Sequence, residues 1–393
     1  MAERGSQIVL HFALIFGSHA LGAMSLLSVL AAGPQLVAQL GLTAVQIGAL
    51  ASVYSGALAL AALPAGAVVD RVGTRTALVL ASLAISAGLM LCATASGFGR
   101  LGTGLALCGA GYGLINPAAS RAILHWFAPK WRTTLLSLKQ TGVPLGAALG
   151  STSVLLSGMG AWQTGIWAVA MLTLGFSILF AVFLPKDTGA EQAQSGGLRQ
   201  IFGLLRDPLL GRANLAAGLT NGMQFALWAH VPEIVQEAES GTLGNVAICL
   251  GALHVGTFAG RVIWGLVTDR FLGGNPAQSL HLLCTCALAG VALLGAGLFR
   301  DTLVLSATGC FVLGSTVSSA VGLHVALTTC LAPRAALGAA VGYTMLVTNL
   351  GGVVVPILLG LALTTQGAAG FLSGLLVLIP ATLFSLWRIL PRH

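Results

Sequence analysis

Apolar runs follow one another along this chain with short polar breaks between them, and nowhere do they show the strict alternation that a membrane β-barrel needs. Each run lasts roughly 20 residues, the length at which an α-helix crosses a hydrocarbon core of ~30 Å. The pattern predicts twelve spans, at 8–32, 43–69, 76–96, 101–127, 133–158, 162–184, 209–235, 243–268, 277–299, 302–329, 335–362 and 367–389. The first run holds His11, His19 and Ser25 and continues without an A-x-A-like cleavage site, so it is expected to stay as a helix rather than to be removed as a leader. The expected class is an all-α membrane protein with twelve transmembrane helices.

Composition agrees with this pattern: of 393 residues, 56% are hydrophobic and 7% charged, and the mean hydropathy is +0.93, far from soluble domains. A net charge of +8 would suit nucleic acid, but its placement argues for topology. Arg4, Arg71, Arg75, Lys130, Arg132, Lys186, Arg199, Arg206, Arg212, Arg270, Arg334, Arg388 and Arg392 lie at the termini and in alternate breaks, while the intervening breaks carry Arg100 and Arg300. By the positive-inside rule, both termini are expected in the cytoplasm and the chain in the inner membrane. The lipid bilayer, not nucleic acid, is the partner this implies. The seven cysteines sit in or beside apolar runs without metal-ligand spacing, and read as small buried hydrophobes. No P-loop, dinucleotide fingerprint or G-x-S-x-G occurs, so no cofactor, ATP-driven step or enzymatic chemistry is expected.

One long polar stretch, "PKDTGAEQAQSGGLRQIFGLLRD", follows the sixth run and divides the chain into 1–184, a cytoplasmic linker 185–208, and 209–393. The halves echo each other. After the second span comes "GAVVDRVGTR", with Gly66, Asp70, Arg71, Gly73 and Arg75; after the eighth comes "GLVTDRFLGG", with Gly265, Asp269, Arg270 and Gly273. The fifth and eleventh spans pair "KQTGVPLG" with "TNLGGVVVP", both glycine-rich and expected to be broken by Pro144 and Pro356.

Over its whole length the chain resembles the major facilitator superfamily of secondary transporters, whose best-known motif is the G-x-x-x-D-R-x-G-x-R loop found here in two copies. The second copy has Leu272 in place of the motif glycine and lacks the final arginine. The resemblance implies two pseudo-symmetric six-helix bundles that rock about a substrate held between them near the bilayer midplane. It also implies that Asp70 caps a neighbouring helix, the eleventh, and that Asp70, Arg71, Arg75, Asp269 and Arg270 act in gating.

Three cations lie inside spans: Arg121 in the fourth, Lys139 in the fifth and Arg261 in the eighth. Such a group costs at least ~2.5 kcal/mol on insertion scales and so faces a partner or a ligand. Only Glu233 among the ten acidic residues falls within a span, so the transport core holds more positive than negative charge and an anionic substrate complements it. Around Arg261 the run "RVIWGLVTD" resembles the eighth helix of oxalate/formate antiporters and monocarboxylate porters. That likeness implies that Arg261 engages a substrate carboxylate. Those porters carry an aspartate one turn earlier, where this chain has Thr257.

Lys139, Arg121, His19, Tyr54, His324 and Tyr343 complete the candidate substrate contacts, and Glu233 and His254 the candidates for proton coupling. The function expected is secondary transport of a small mono- or dicarboxylate by proton symport or anion exchange, carried out by a monomer. A drug/proton antiporter of the same fold is the alternative, with scarce buried acids against it.

Overall fold

The computed structural model describes residues 2–128, 135, 138–155, 161–186, 204, 206–238, 242–333, 337–387 and 389. Among them there are helices and no strands. The first span is Ala2–Leu30, and a short helix, Gly33–Leu40, follows it without having been expected. Spans two to four are Ala44–Val72, Thr74–Ala93 and Phe98–Trp126. The fifth comprises helical residues at 138–140 and Gly142–Leu155, and the sixth is Trp162–Phe183. Spans seven to nine are Pro208–Ala238, Leu243–Phe271 and Pro276–Arg300. Most of the linker expected at 185–208 lies outside the described residues.

Three expectations need correction. The tenth span is interrupted: Leu303–Ser315 ends at Thr316 (φ −107, ψ −90), a 3-10 turn covers Val317–Ser319, and the helix resumes at Val321–Leu331. Spans eleven and twelve run as Leu337–Leu386, parted only at Gly367 (φ 62, ψ −156), a backbone state open to glycine. Pro356 does not break its helix but sits inside it, as Pro64, Pro117 and Pro232 do in theirs. In a membrane, neighbouring helices satisfy the carbonyl that proline frees, so the helix continues.

Eight described helices are long and apolar enough to cross a bilayer, and one of these, Ala340–Leu386, has length for two crossings. The fourth, fifth and seventh spans fall outside that group; the fourth carries the polar side chains of Tyr112, Asn116, Ser120 and Arg121, and the seventh buries those of Asn214, Thr220, Asn221 and Gln224.

The chain forms two compact units, residues 1–40 with 53–194, and residues 41–52 with 195–393. In the first unit the fifth span lies against the first, with Gly142, Gly146 and Gly150 facing the backbone of Phe16, Ala20 and Met24 in successive turns. In the second the eleventh span lies against the seventh in the same manner, through Gly218 and Gly222 against Val347 and Gly351. Small residues permit this backbone approach, which gives dispersion contact where lipid supplies no hydrophobic drive. The glycine-rich echo between "KQTGVPLG" and "TNLGGVVVP" is thus a packing device in each half.

Candidate functional site

Close packing of the fifth span on the first sets the position of Lys139. Gly142, one turn further along, abuts the Phe16 carbonyl and the side chain of His19, so Lys139 enters the interior of the first unit beside His19. Its side chain is buried, 2% exposed. The ammonium Nζ donates to Asn116 Oδ1 at 2.7 Å and to Ser120 Oγ at 2.8 Å, with the Asn116 carbonyl at 3.5 Å. Tyr112, Asn116 and Ser120 are spaced four residues apart and so line one face of the fourth span. Among the described residues no carboxylate lies within ion-pair distance of Lys139.

His19 is buried above this group, its ring 6.4 Å from Tyr112 in an edge-on arrangement, and neither ring nitrogen has a hydrogen-bond partner among the described residues. Tyr54 packs on the other side of Tyr112, with centroids also 6.4 Å apart. Its hydroxyl donates to the Gly22 carbonyl at 2.9 Å, so in this state the phenol is committed to the protein backbone.

Arg121 follows Ser120 but projects about 100° away around the helix, and its Nη1 donates to Asp70 Oδ1 at 2.5 Å. The two side chains are 12% and 28% exposed. The motif carboxylate and the fourth-span cation are therefore partners within one half. Asp70→Asn is expected to lower thermal stability by about 1–3 kcal/mol, because it takes the carboxylate charge away from a half-buried guanidinium. Adding Arg121→Gln to that variant should recover part of the loss. A double-mutant cycle of detergent melting curves measures the coupling; additive effects would show that the pair contributes nothing.

The rest of the first motif loop is a tight reversal: Gly73 (φ 79) precedes the third span, Arg71 is exposed, and Arg75 reaches the Leu184 carbonyl at 3.5 Å. In the second copy the reversal moves one residue on, to Gly273 (φ 58) and Gly274 (φ 75), with Asn275 capping the amides of Ala277 and Gln278. This shift explains how Leu272 is tolerated at the motif glycine's place, since Leu272 keeps a negative φ of −115. Asp269 and Arg270 are both exposed.

In the second unit, hydrogen bonds tie spans seven, ten and eleven together. His324 Nε2 lies 2.8 Å from Thr220 Oγ1, and Thr344 Oγ1 lies 2.6 Å from Asn214 Oδ1 and 2.7 Å from Thr328 Oγ1. Asn221 donates to the Thr348 carbonyl at 2.9 Å. Tyr343 belongs instead to an apolar cluster with Leu204, Leu210 and Ala340. His254 is buried on the eighth span, 6.2 Å from the Trp228 ring. Arg261 is half-buried on the same helix, one turn before Trp264, whose Nε1 donates to the Ser315 carbonyl at 2.7 Å.

Glu233 Oε2 sits 3.7 Å from Nδ1 of His230, whose Nε2 meets the Pro356 carbonyl at 3.0 Å.

Of the residues expected from sequence, the structure thus brings His19 and Lys139 together, pairs Arg121 with Asp70, joins His324 to Thr220, and leaves Tyr343 among apolar side chains. Asn116 and Ser120, the groups that hold Lys139, were not foreseen.

The family model of the Major Facilitator Superfamily matches residues 13–356. The chain belongs to this superfamily. It is 28% identical to the 3-(3-hydroxy-phenyl)propionate transporter of Escherichia coli strain K12, over 79% of this chain and 76% of that one. It is 25% identical to the gentisate transporter of Corynebacterium glutamicum (84% and 75% covered) and 23% identical to the hexuronate transporter of Bacillus subtilis strain 168 (86% and 83%). The nucleoside transporter NupG shares the fold, with a TM-score of 0.74 at 14% identity and 97% of each chain covered. So does a bacterial homolog of the human lysosomal transporter Spinster, with a TM-score of 0.74 at 14% identity over 96% of this chain and 95% of that one. This superfamily member is a multi-pass membrane transporter for small molecules, not an enzyme.

Proposed function

We propose that this transporter moves a small organic anion and that Lys139 receives its carboxylate. One observation carries the reading: an ammonium buried in a span is held only by the neutral oxygens of Asn116 and Ser120 among the described residues. Neutral acceptors position such a charge without compensating it, whereas a carboxylate would do both. His19, with both ring nitrogens free of described partners, stands beside it as a second contact. Arg261 is the corresponding basic candidate of the second half, where a guanidinium fork suits a planar carboxylate. The names of the relatives, which include transporters of two aromatic acids, a hexuronate and, in a further relative 26% identical, L-galactonate, support the same substrate class.

The His230–Glu233 pair is the proposed place for a coupled proton, since it sets a carboxyl oxygen 3.7 Å from an imidazole nitrogen within the seventh span. The distribution of Lys and Arg supports insertion in the cytoplasmic membrane with both termini inside.

The test is uptake by purified protein in proteoliposomes, with and without an inward proton gradient. The panel contains 3-(3-hydroxyphenyl)propionate, gentisate, glucuronate, galactonate, phosphate, nitrate and a lipophilic cation. Uptake confined to carboxylates is expected. Transport of the cation with none of the carboxylates would overturn the reading and favour drug efflux.

A further inference from the structure

The ring of His230 is buried, and its one hydrogen bond fixes where its hydrogen stands. Nε2 meets the Pro356 carbonyl at 3.0 Å, and a carbonyl oxygen only accepts, so Nε2 carries a hydrogen. A neutral imidazole has one N–H, which leaves Nδ1 with a bare lone pair. Nδ1 faces Oε2 of Glu233 at 3.7 Å, within ion-pair distance. Neither atom has a hydrogen-bond partner among the described residues. Two buried acceptors turned toward each other repel, and both stay unsatisfied unless a further proton stands on one of them. Imidazolium with carboxylate, or imidazole with carboxylic acid, gives the same count: one proton beyond that on Nε2.

The hydrogen bond to Pro356 lies where helices crowd together inside the second unit. Residues 41–52, with the start of the second span, belong to that unit. A Cβ on Gly48 would fall on the Pro356 carbonyl and 3.0 Å from Nε2 of His230. One on Gly360 would come 2.8 Å from the Ala44 carbonyl and 3.1 Å from the His230 ring. Phe371, its ring centroid 5.7 Å from that of the imidazole, adds a wall from the twelfth span. Glu233 and, one turn further, Glu237 are the titratable neighbours on the seventh span itself. Residues 41–52, 349–366 and 367–386 contribute none. His254 on the eighth span and His324 on the tenth meet Trp228 and Thr220 instead, away from this ring.

We infer that one proton, shared by Nδ1 of His230 and Oε2 of Glu233, fastens the seventh span to the eleventh where the start of the second span packs on both. With that proton present, Nε2–H is free to serve the carbonyl and the second proton serves the imidazole and the carboxyl together. Without it a single N–H faces two acceptors, and the charged carboxylate is the stronger one. By tautomer exchange or by rotation of the ring, the N–H goes to Glu233 and Pro356 loses its donor. Gly48 packs against that carbonyl, so water replaces the donor only if the spans part. The His230 ring is enclosed and the Glu233 side chain is 12% exposed, so the proton enters and leaves by the carboxyl. The inference rests on the reading of this pair as the place of the coupled proton and adds what that proton holds together.

The experiment reads this seam with a cysteine at Ala44, a buried position whose carbonyl borders Gly360, against one at Thr365, an exposed position further along the eleventh span. Purified Ala44→Cys and Thr365→Cys proteins are labelled with a hydrophilic maleimide from about pH 5.5 to about pH 9, and mass spectrometry of the labelled peptide reads each position. The ratio of the two rates takes out the pH dependence of the thiol reaction itself. With His230 and Glu233 intact, the ratio is expected to rise at least about tenfold toward alkaline pH, the equivalent of one charge-assisted hydrogen bond. Glu233→Gln offers an amide N–H to Nδ1 without an added proton, so its ratio should stay low throughout. His230→Phe keeps a ring and has no donor, so its ratio should stay high throughout; where it does not fold, Glu233→Gln decides. A ratio flat in pH with the pair intact, or one that climbs equally in Glu233→Gln, overturns the inference. Uptake of the carboxylates named above, with and without a proton gradient, separates it from the reading beneath it. Gradient-driven uptake with a flat ratio removes the fastener and leaves the coupled proton; a ratio that follows pH with uptake indifferent to the gradient keeps the fastener and removes the coupling.

Discussion

Lys139→Met is expected to abolish high-affinity uptake of carboxylates while the protein remains folded, with a stability between that of wild type and about 3 kcal/mol below it. The two effects have one origin. In the resting protein the ammonium is buried with, among the described residues, Asn116 and Ser120 to hold it, and a charge within a span costs ~2.5–3.5 kcal/mol on insertion scales. Methionine has similar length, fills the same space and carries no charge, so that cost disappears. Against this stand two lost hydrogen bonds, each contributing ~1.5–3 kcal/mol when one partner is charged, so the balance runs from about zero to a loss of about 3 kcal/mol. Binding has no such compensation. A substrate carboxylate brought into the same place would be buried beside a thioether, and truncating one member of a buried charge pair costs ~2–5 kcal/mol. That corresponds to a loss of affinity of about thirtyfold to several thousandfold. Lys139→Arg should be intermediate, since it keeps the charge but brings a planar group to partners set for a point donor. Half-saturation in proteoliposomes and a melting curve in detergent are the two measurements. Wild-type affinity in Lys139→Met would remove the lysine from the binding machinery; a loss of stability well beyond about 3 kcal/mol would make it a structural group.

Much of this architecture can be read from the sequence because a bilayer reduces folding to a few strong rules. Each crossing needs a long apolar run, so the succession of spans is visible in hydropathy, and Lys139 is conspicuous because nothing around it is charged. What surrounds Lys139 is another matter. Asn116 and Ser120 belong to "GLINPAASRAIL", where Arg121 is the residue that draws notice. Which of these neighbours meets the fifth span depends on how the fourth helix is rotated, and a rotation of one residue exchanges Ser120 for Arg121. Packing decides that rotation, and hydropathy does not encode it. The same holds for Asp70, whose partner stands 51 residues away on a helix whose facing the sequence does not declare. The interruption of the tenth span had a local trace in "GSTVSSAVG". Four hydroxyl residues that compete for backbone carbonyls weaken a helix between two glycines, but the apolar average across the whole span conceals it.

The glycine contacts between paired spans give the second large effect, and a single methyl group should suffice to produce it. A Cβ placed on Gly146 would overlap the backbone of Ala20, and one on Gly351 would overlap the backbone of Gly218. Neither obstacle is the movable end of a side chain, so the helices must separate. Separation costs dispersion contacts along several turns, because Gly142 and Gly150 lose their neighbours together with Gly146. Gly146→Ala and Gly351→Ala are each expected to lower stability by about 1–3 kcal/mol, as overpacking does, and the corresponding valine variants to prevent recovery of monodisperse protein. Gly175 supplies the contrast. It lies in the sixth span with no atom within 4 Å of where its Cβ would be, so Gly175→Ala should be neutral or stabilising by up to about 1 kcal/mol through helix propensity. Fluorescence-detected size exclusion and melting temperature across the three alanine variants decide the matter. If Gly146→Ala and Gly351→Ala melt with Gly175→Ala, close backbone approach is not what holds the first span to the fifth or the seventh to the eleventh.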